Sequence, residues 1–251
     1  MKLIINADDL GANDQINSAT FDLMAAGCLT SATIMANGAA FREACRHLGQ
    51  FPKCSFGVHL NFTADEMLTR SEALRPLRAY GDHPLAKLQS VRFTRHLKEA
   101  VYAEWCAQIG RLLECGIVPS HIDSHHHVHT LPALFGVLKA VQRQFRIRRV
   151  RLTRNLFLQP KPLALRLKKF IWNQALRHFY ATTTTRRFCD LSTLAALDPR
   201  ARRRHPSVEA MVHPGSPDYD AETRILRDPS VLGLRQVGVE LISYRELGEN
   251  P

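Results

Sequence analysis

Five histidines and an aspartate crowd the nine residues His121-Ile122-Asp123-Ser124-His125-His126-His127-Val128-His129. Imidazole nitrogens and carboxylate oxygens are the donors that borderline divalent ions prefer. In extended chain alternate residues share a face, so His121, Asp123 and His125 point one way while Ile122 enters an apolar layer. Three further groups could join such a centre. Asp8-Asp9 closes a short apolar run, His59 closes another, and His213 precedes a Pro214-Gly215 turn. Successive strand residues face opposite ways, so one aspartate could ligate while the other stays free as a base. His213, held at a strand end, is placed for general acid work. Each group has a plainer alternative: a helix-capping Asp pair, a core His59, a turn His213 bonded to local backbone, and a His-rich surface loop. Their joint occurrence at matching strand ends favours chemistry.

The elements that must carry these groups alternate. Short apolar or β-branched runs at 2–7, 31–35, 55–60, 119–124, 149–152, 210–212 and 240–244 predict strands. Helical patterns at 15–26, 39–48, 94–115, 131–145, 163–180 and 220–226 lie between them. Residues 64–91, with Pro76, Gly81 and Pro84, read as a long loop or lid. Polar clusters follow Ala7, Val58, Ile122 and Val212, all at strand C-termini, which is where α/β barrels place their sites. The expectation is one α/β domain over 1–251: a TIM-like (β/α) barrel, complete or seven-stranded, in preference to an open doubly wound sheet.

At 251 residues and 45% apolar content the chain can bury one sizeable core. MKLIINADDL lacks an apolar stretch of signal-peptide length, and no run of about 18 apolar residues occurs, so a cytoplasmic protein is expected. Six cysteines without a C-x-x-C pair fit reduced thiols. The net charge of +11 is uneven: 139–204 holds 18 Lys and Arg against Asp190 and Asp198 alone. Such a block is either a solvated basic face or a surface for an anionic partner, such as a phosphorylated substrate or a lipid. If 163–180 is helical, Arg166, Lys169, Asn173 and Arg177 form one stripe and Leu163, Leu167 and Ile171 another. That helix could meet an anionic membrane or a lipid-linked sugar phosphate; an ordinary barrel helix with a charged outer face is the simpler expectation. No helix-turn-helix, zinc-finger or RNP signature supports nucleic-acid binding.

These residues resemble the YdjC-like (ChbG/HpnK) carbohydrate deacetylases. The family's N-A-D-D-x-G motif corresponds to Asn6 to Gly11, and T-S-x-x-x-M-x-N to Thr30, Ser31, Met35 and Asn37. Its G-x-H-L-x-x-T motif corresponds to Gly57, His59, Leu60 and Thr63. The H-x-D-S-H-x-H-x-H motif is complete from His121 to His129, and M-x-H-P-G from Met211 to Gly215. The resemblance implies a barrel of the polysaccharide deacetylase kind and a metal site of Asp9, His59 and His125. It further implies Asp8 as the base; with His213 as the expected acid, the expected substrate is an N-acetylated amino sugar. The ion would be zinc or magnesium, lowering the pKa of a water. Asp123, His127 and Asn37 would support the ligands or touch the sugar, and many relatives are homodimers. The chain departs from the family at Ala64-Asp65-Glu66-Met67, in the short stretch 64–88, and in its basic 156–205, which puts the identity of the sugar in question. Two competing readings remain: a metal-free glycoside hydrolase using Asp8 and Asp123 about 5–9.5 Å apart, and a binding protein for an anionic polymer.

Overall fold

The computed structural model describes residues 1–80, 84–153, 156–180, 182–228 and 238–248; Gly81, within the expected loop, lies outside them. Strand β1 (Lys2–Leu10) is buried from Leu3 to Asp8 and again at Leu10, as expected for a run packed on both faces. It pairs in parallel with β2 (Ser31–Ile34), which pairs with β3 (Ser55–Leu60), which pairs with β4 (Ile122–Ser124). On its other side β1 pairs with β6 (Ser207–Val212), and β6 with β5 (Arg187–Asp190). Short β7 (Glu240–Leu241) joins the start of β1. The order is therefore β4-β3-β2-β1-β6-β5.

The helices are α1 (Asp14–Ala25), α2 (Phe41–His47), α3 (Pro84–Leu88), α4 (Arg95–Glu114), α5 (Phe135–Phe145), α6 (Leu163–His178), α7 (Leu191–Ala196), α8 (Pro199–Arg203) and α9 (Asp220–Arg227). Asn13 and Thr94 cap α1 and α4 with their side-chain oxygens. The two acids of the basic block also prove to be caps: Asp190 for α7 and Asp198 for α8. Both short helices and β5 escape the sequence reading because Arg186 and Arg187 interrupt the apolar pattern that Phe188 and Cys189 continue inside.

The sheet curls into a half barrel and does not close. Between the free edges of β4 and β5, two isolated parallel bridges, Ile122↔Val150 and Arg149↔Thr183, replace ladders. The expected strand at 149–152 is thus reduced to bridge partners. Left-handed Arg146 ends α5 only three residues earlier, and the chain crosses the gap without room for a longer ladder.

The core shows why one glycine is required. His121 is fully buried and stacks on Tyr244 with ring centroids 3.6 Å apart. A Cβ on Gly57 would lie 2.5 Å from Cε1 of His121. With Tyr244 behind it, the imidazole has nowhere to retreat. Gly57→Ala is therefore expected to cost about 1–3 kcal/mol through overpacking. Chemical denaturation measures this, and an unchanged midpoint would contradict the packing.

Candidate active site

Each polar group foreseen at a strand end arrives at the C-terminal end of the curled sheet. The decisive local feature lies in β1, where Asp9 adopts φ +63 and the β1–β2 register shifts between Ala7 and Leu10. A bulge of this kind breaks the two-residue alternation. Asp8 and Asp9 therefore line the same cavity instead of opposite faces, as regular pleating would require. After β4, His126 and His127 are both left-handed (φ +50 and +56), so the block turns sharply instead of continuing as a strand. His125 and His127 enter the cavity with His59 from β3 and His213 from beyond β6. Its volume is about 470 Å³.

Asp9 is the hub. Its Oδ1 lies 3.1 Å from His59 Nε2 and 2.8 Å from His125 Nδ1. One donor atom from each of the three falls within 4.8 Å of the others. On the far side of the His59 ring, Nδ1 is 2.7 Å from Asp123 Oδ1. The Asp123 carboxylate takes the Nδ1 proton, which leaves Nε2 as the ring nitrogen that a metal ion could use, a common way of orienting a ligating imidazole. Burial alone would push the Asp9 carboxyl up, but the two imidazoles hold it well below the usual range. Burial would likewise lower His59, yet Asp123 and the aspartates of the cavity raise it well above an ordinary histidine. Two imidazoles and one carboxylate held this close fit a divalent cation, whose charge would replace the ring protons.

Behind the cavity stands a residue that the sequence reading passed over. Arg151 is fully buried and grips Asp8 with two 2.6 Å bonds, Nη1 to Oδ2 and Nη2 to Oδ1. It also reaches Asp123 Oδ2 at 2.8 Å and Glu209 Oε1 at 2.7 Å. Burial opposes ionisation of Asp8, but the guanidinium outweighs it and keeps the carboxyl far below its ordinary value. Glu209, to which the Tyr244 hydroxyl donates, is pushed up by burial to about 7. Inward position 151 of a foreseen strand was the available signal, since a charge there demands a buried partner.

His213 has a carboxylate behind it as well. Glu222 of α9 accepts the His213 backbone N–H at 2.7 Å, and its Oε2 lies 3.6 Å from Nδ1. Burial would lower the imidazole; Glu222, Asp8 and Asp9 raise it above an ordinary histidine, favouring the proton-carrying form. Tyr219 stacks on the ring at 4.1 Å.

A family model described as YdjC-like protein matches residues 2–239. The chain belongs to the YdjC-like family. A carbohydrate deacetylase of Geobacillus stearothermophilus is 30% identical over 266 residues, covering 97% of this chain and 96% of that protein. Carbohydrate deacetylases of Vibrio campbellii and Halalkalibacterium halodurans are 37% and 34% identical over 148 and 147 residues. Those matches cover 59% and 58% of this chain, and only 57% and 61% of the two relatives' lengths. A crystal structure from Enterococcus faecalis V583, described as a candidate cellobiose-phosphate cleavage protein, has the same fold: TM-score 0.76 at 24% identity, covering 98% of each chain.

The YdjC-like motifs divide their labour unequally. Of the histidine block, His121 and His129 are buried supports: His121 contacts Asn6 and Ser120, and His129 contacts Ser124 and the Arg151 carbonyl. Burial, reinforced by Arg151, lowers His129 to about 3. His126 lines the cavity too, with its Nδ1 3.0 Å from the Thr63 hydroxyl. His127 lines the cavity and packs edge-on against Phe188, and burial with Arg151 keeps it well below an ordinary histidine. Asn37 lies apart from the cavity lining. Its Nδ2 donates to the carbonyls of Ala64 and Glu66, so it braces the loop after β3. Asp123 is wholly buried between His59 and Arg151, which removes it from any glycosidase pair with Asp8, because substrate cannot reach it.

Proposed function

We propose that this YdjC-like chain is a metal-dependent carbohydrate N-deacetylase of the cytoplasm, hydrolysing the acetamide of an N-acetylated amino sugar to acetate and a free amine. The names of its relatives support a carbohydrate deacetylase. The observation that carries the reading is the convergence of Asp9, His59 and His125 on one spot, with Asp8 and His213 lining the same cavity. The substrate class takes in monosaccharides, oligosaccharides and lipid-linked glycans.

Zinc or magnesium held by Asp9, His59 and His125 would act as a Lewis acid and make water a stronger nucleophile near neutral pH. The remaining work belongs to the chain's own side chains. Asp8, kept ionised by Arg151, accepts a proton from the attacking water. His213, its proton favoured by Glu222, protonates the departing nitrogen as the C–N bond breaks. Asp123 fixes the His59 ring. Neutral His127 and the exposed edge of Tyr219 border the space left for the sugar.

The test is an acetate-release screen over N-acetylated sugars with chelator-stripped protein, zinc and magnesium being added back separately. Activity should disappear on stripping and return with one of the ions. Asp9→Ala should bind no stoichiometric metal and show no turnover. Hydrolysis undiminished after complete metal removal would overturn the reading.

A further inference from the structure

Helix α6 is packed inside out. Residues 163–171 are exposed except for half-buried Lys169, whereas Asn173 and Leu176 of the following turn are buried. The exposed side chains are not those of an ordinary outer face. Leu163 is 76% exposed, Leu167 55%, Phe170 59% and Ile171 58%. Spaced i, i+4, i+7 and i+8, they fall within an arc of about 100° and form one continuous apolar stripe. Exposed Arg166 and Lys168 flank it on either side. Of ten exposed large hydrophobic residues among the described residues, seven lie between Leu158 and Phe179. The charged outer face expected for a barrel helix is thus replaced by an apolar one.

We infer that α6 seats this protein on an anionic membrane surface. A water-facing apolar stripe of this size calls for a cover, and charge selects among the candidates. Residues 140–189 contain no Asp or Glu, so a second copy applying the same face would bring like charges together. An apolar stripe bordered by Arg and Lys matches the side chains that an interfacial helix places at the boundary between acyl chains and anionic headgroups. Among the described residues no helix is long and apolar enough to cross a membrane, so the contact is peripheral.

The position of α6 makes the contact useful. The Thr153 hydroxyl, two residues beyond Arg151, donates to Asn173 of α6. An apolar groove of about 720 Å³ is lined by Leu167, Ile171 and Trp172 of α6 together with Leu131, Pro132 and Phe135, and Trp172 meets Phe135 edge-on with ring centroids 5.3 Å apart. Thr130, at the edge of that groove, donates to the carbonyl of cavity residue His127. A membrane-seated α6 therefore holds the catalytic end of the sheet beside the lipid surface.

The probe is co-sedimentation of the full chain with vesicles of phosphatidylglycerol and phosphatidylcholine, against phosphatidylcholine alone. Binding should be strong to the anionic vesicles at low ionic strength and fall as salt rises. The paired substitution Leu167→Asp, Phe170→Asp should lower the partition coefficient by about tenfold or more, because two apolar side chains no longer insert. Its melting temperature and any turnover of a soluble substrate should not change, because both side chains already face water. Arg166→Glu with Lys168→Glu should abolish the preference for anionic over neutral vesicles. The inference fails if anionic vesicles do not retain the protein at low salt, or if the Asp pair binds as wild type. A concentration-dependent dimer that the Asp pair dissolves, without vesicle binding, would assign the face to a second copy. The assay reads binding alone, so its failure leaves the deacetylase reading intact.

Discussion

Exchanging Asp8 for Asn should lower kcat by about 10²–10⁴-fold, the usual contribution of a positioned general base, while leaving metal content unchanged. The split follows from the bulge at Asp9. Because φ +63 turns the second carboxylate toward His59 and His125, the first is left to Arg151 and is not needed as a ligand. Its two 2.6 Å bonds to the guanidinium also aim it, so an amide at this place keeps the volume but cannot accept the proton. Metal analysis and steady-state kinetics on the same preparation make the comparison. A thermal melt controls for the acceptor that Arg151 loses. Near-normal turnover with intact metal would remove Asp8 from the role of base.

Arg151→Met should be the most damaging substitution away from the cavity, costing about 3–5 kcal/mol, as expected when one partner of a buried ion network is removed. Three carboxylates, Asp8, Asp123 and Glu209, share this guanidinium, and all are buried. The pH dependence of the loss has a definite sign. Without Arg151, burial dominates, and the native carboxyls titrate above their unfolded values. Groups shifted upward add stability below the unfolded pKa and lose it as pH rises through the folded one. The deficit against wild type should therefore be largest near pH 8 and narrow toward about pH 4. Denaturant unfolding at a series of pH values reads this directly. A deficit independent of pH would mean that lost packing, including the Arg151 contact with the Phe188 ring, outweighs lost charge. Arg151→Lys should fall between, since one ammonium cannot match the two-pronged bond to Asp8.

Much of the site could be read from local pattern. Short apolar runs ending in Asp8-Asp9, His59, Asp123 and His213 mark strand C-termini, and side chains there point toward the open end of a parallel sheet. Asp9, His59 and His125 meet for that reason, although they come from three different strands. The expected starts of α1 and α4 lie beside Asn13 and Thr94, whose side chains cap them. Where the signal was diluted, reading failed: β5 and the caps Asp190 and Asp198 lie among arginines that mask the apolar alternation.

By itself, then, the sequence determined the kind of fold and the chemistry of its donors, because both are written in side-chain type and short-range spacing. Spacing alone left open which aspartate meets the imidazoles; the family resemblance implied Asp9, and the tertiary structure brings Asp9 there through a left-handed residue inside a strand that propensity does not foretell. It also decided that Asp8 and Arg151, 143 residues apart, form one buried pair. The outward turn of the Leu163–Leu167–Phe170–Ile171 stripe was settled there too, because periodicity gives a helix two faces and only its neighbours select which one meets water.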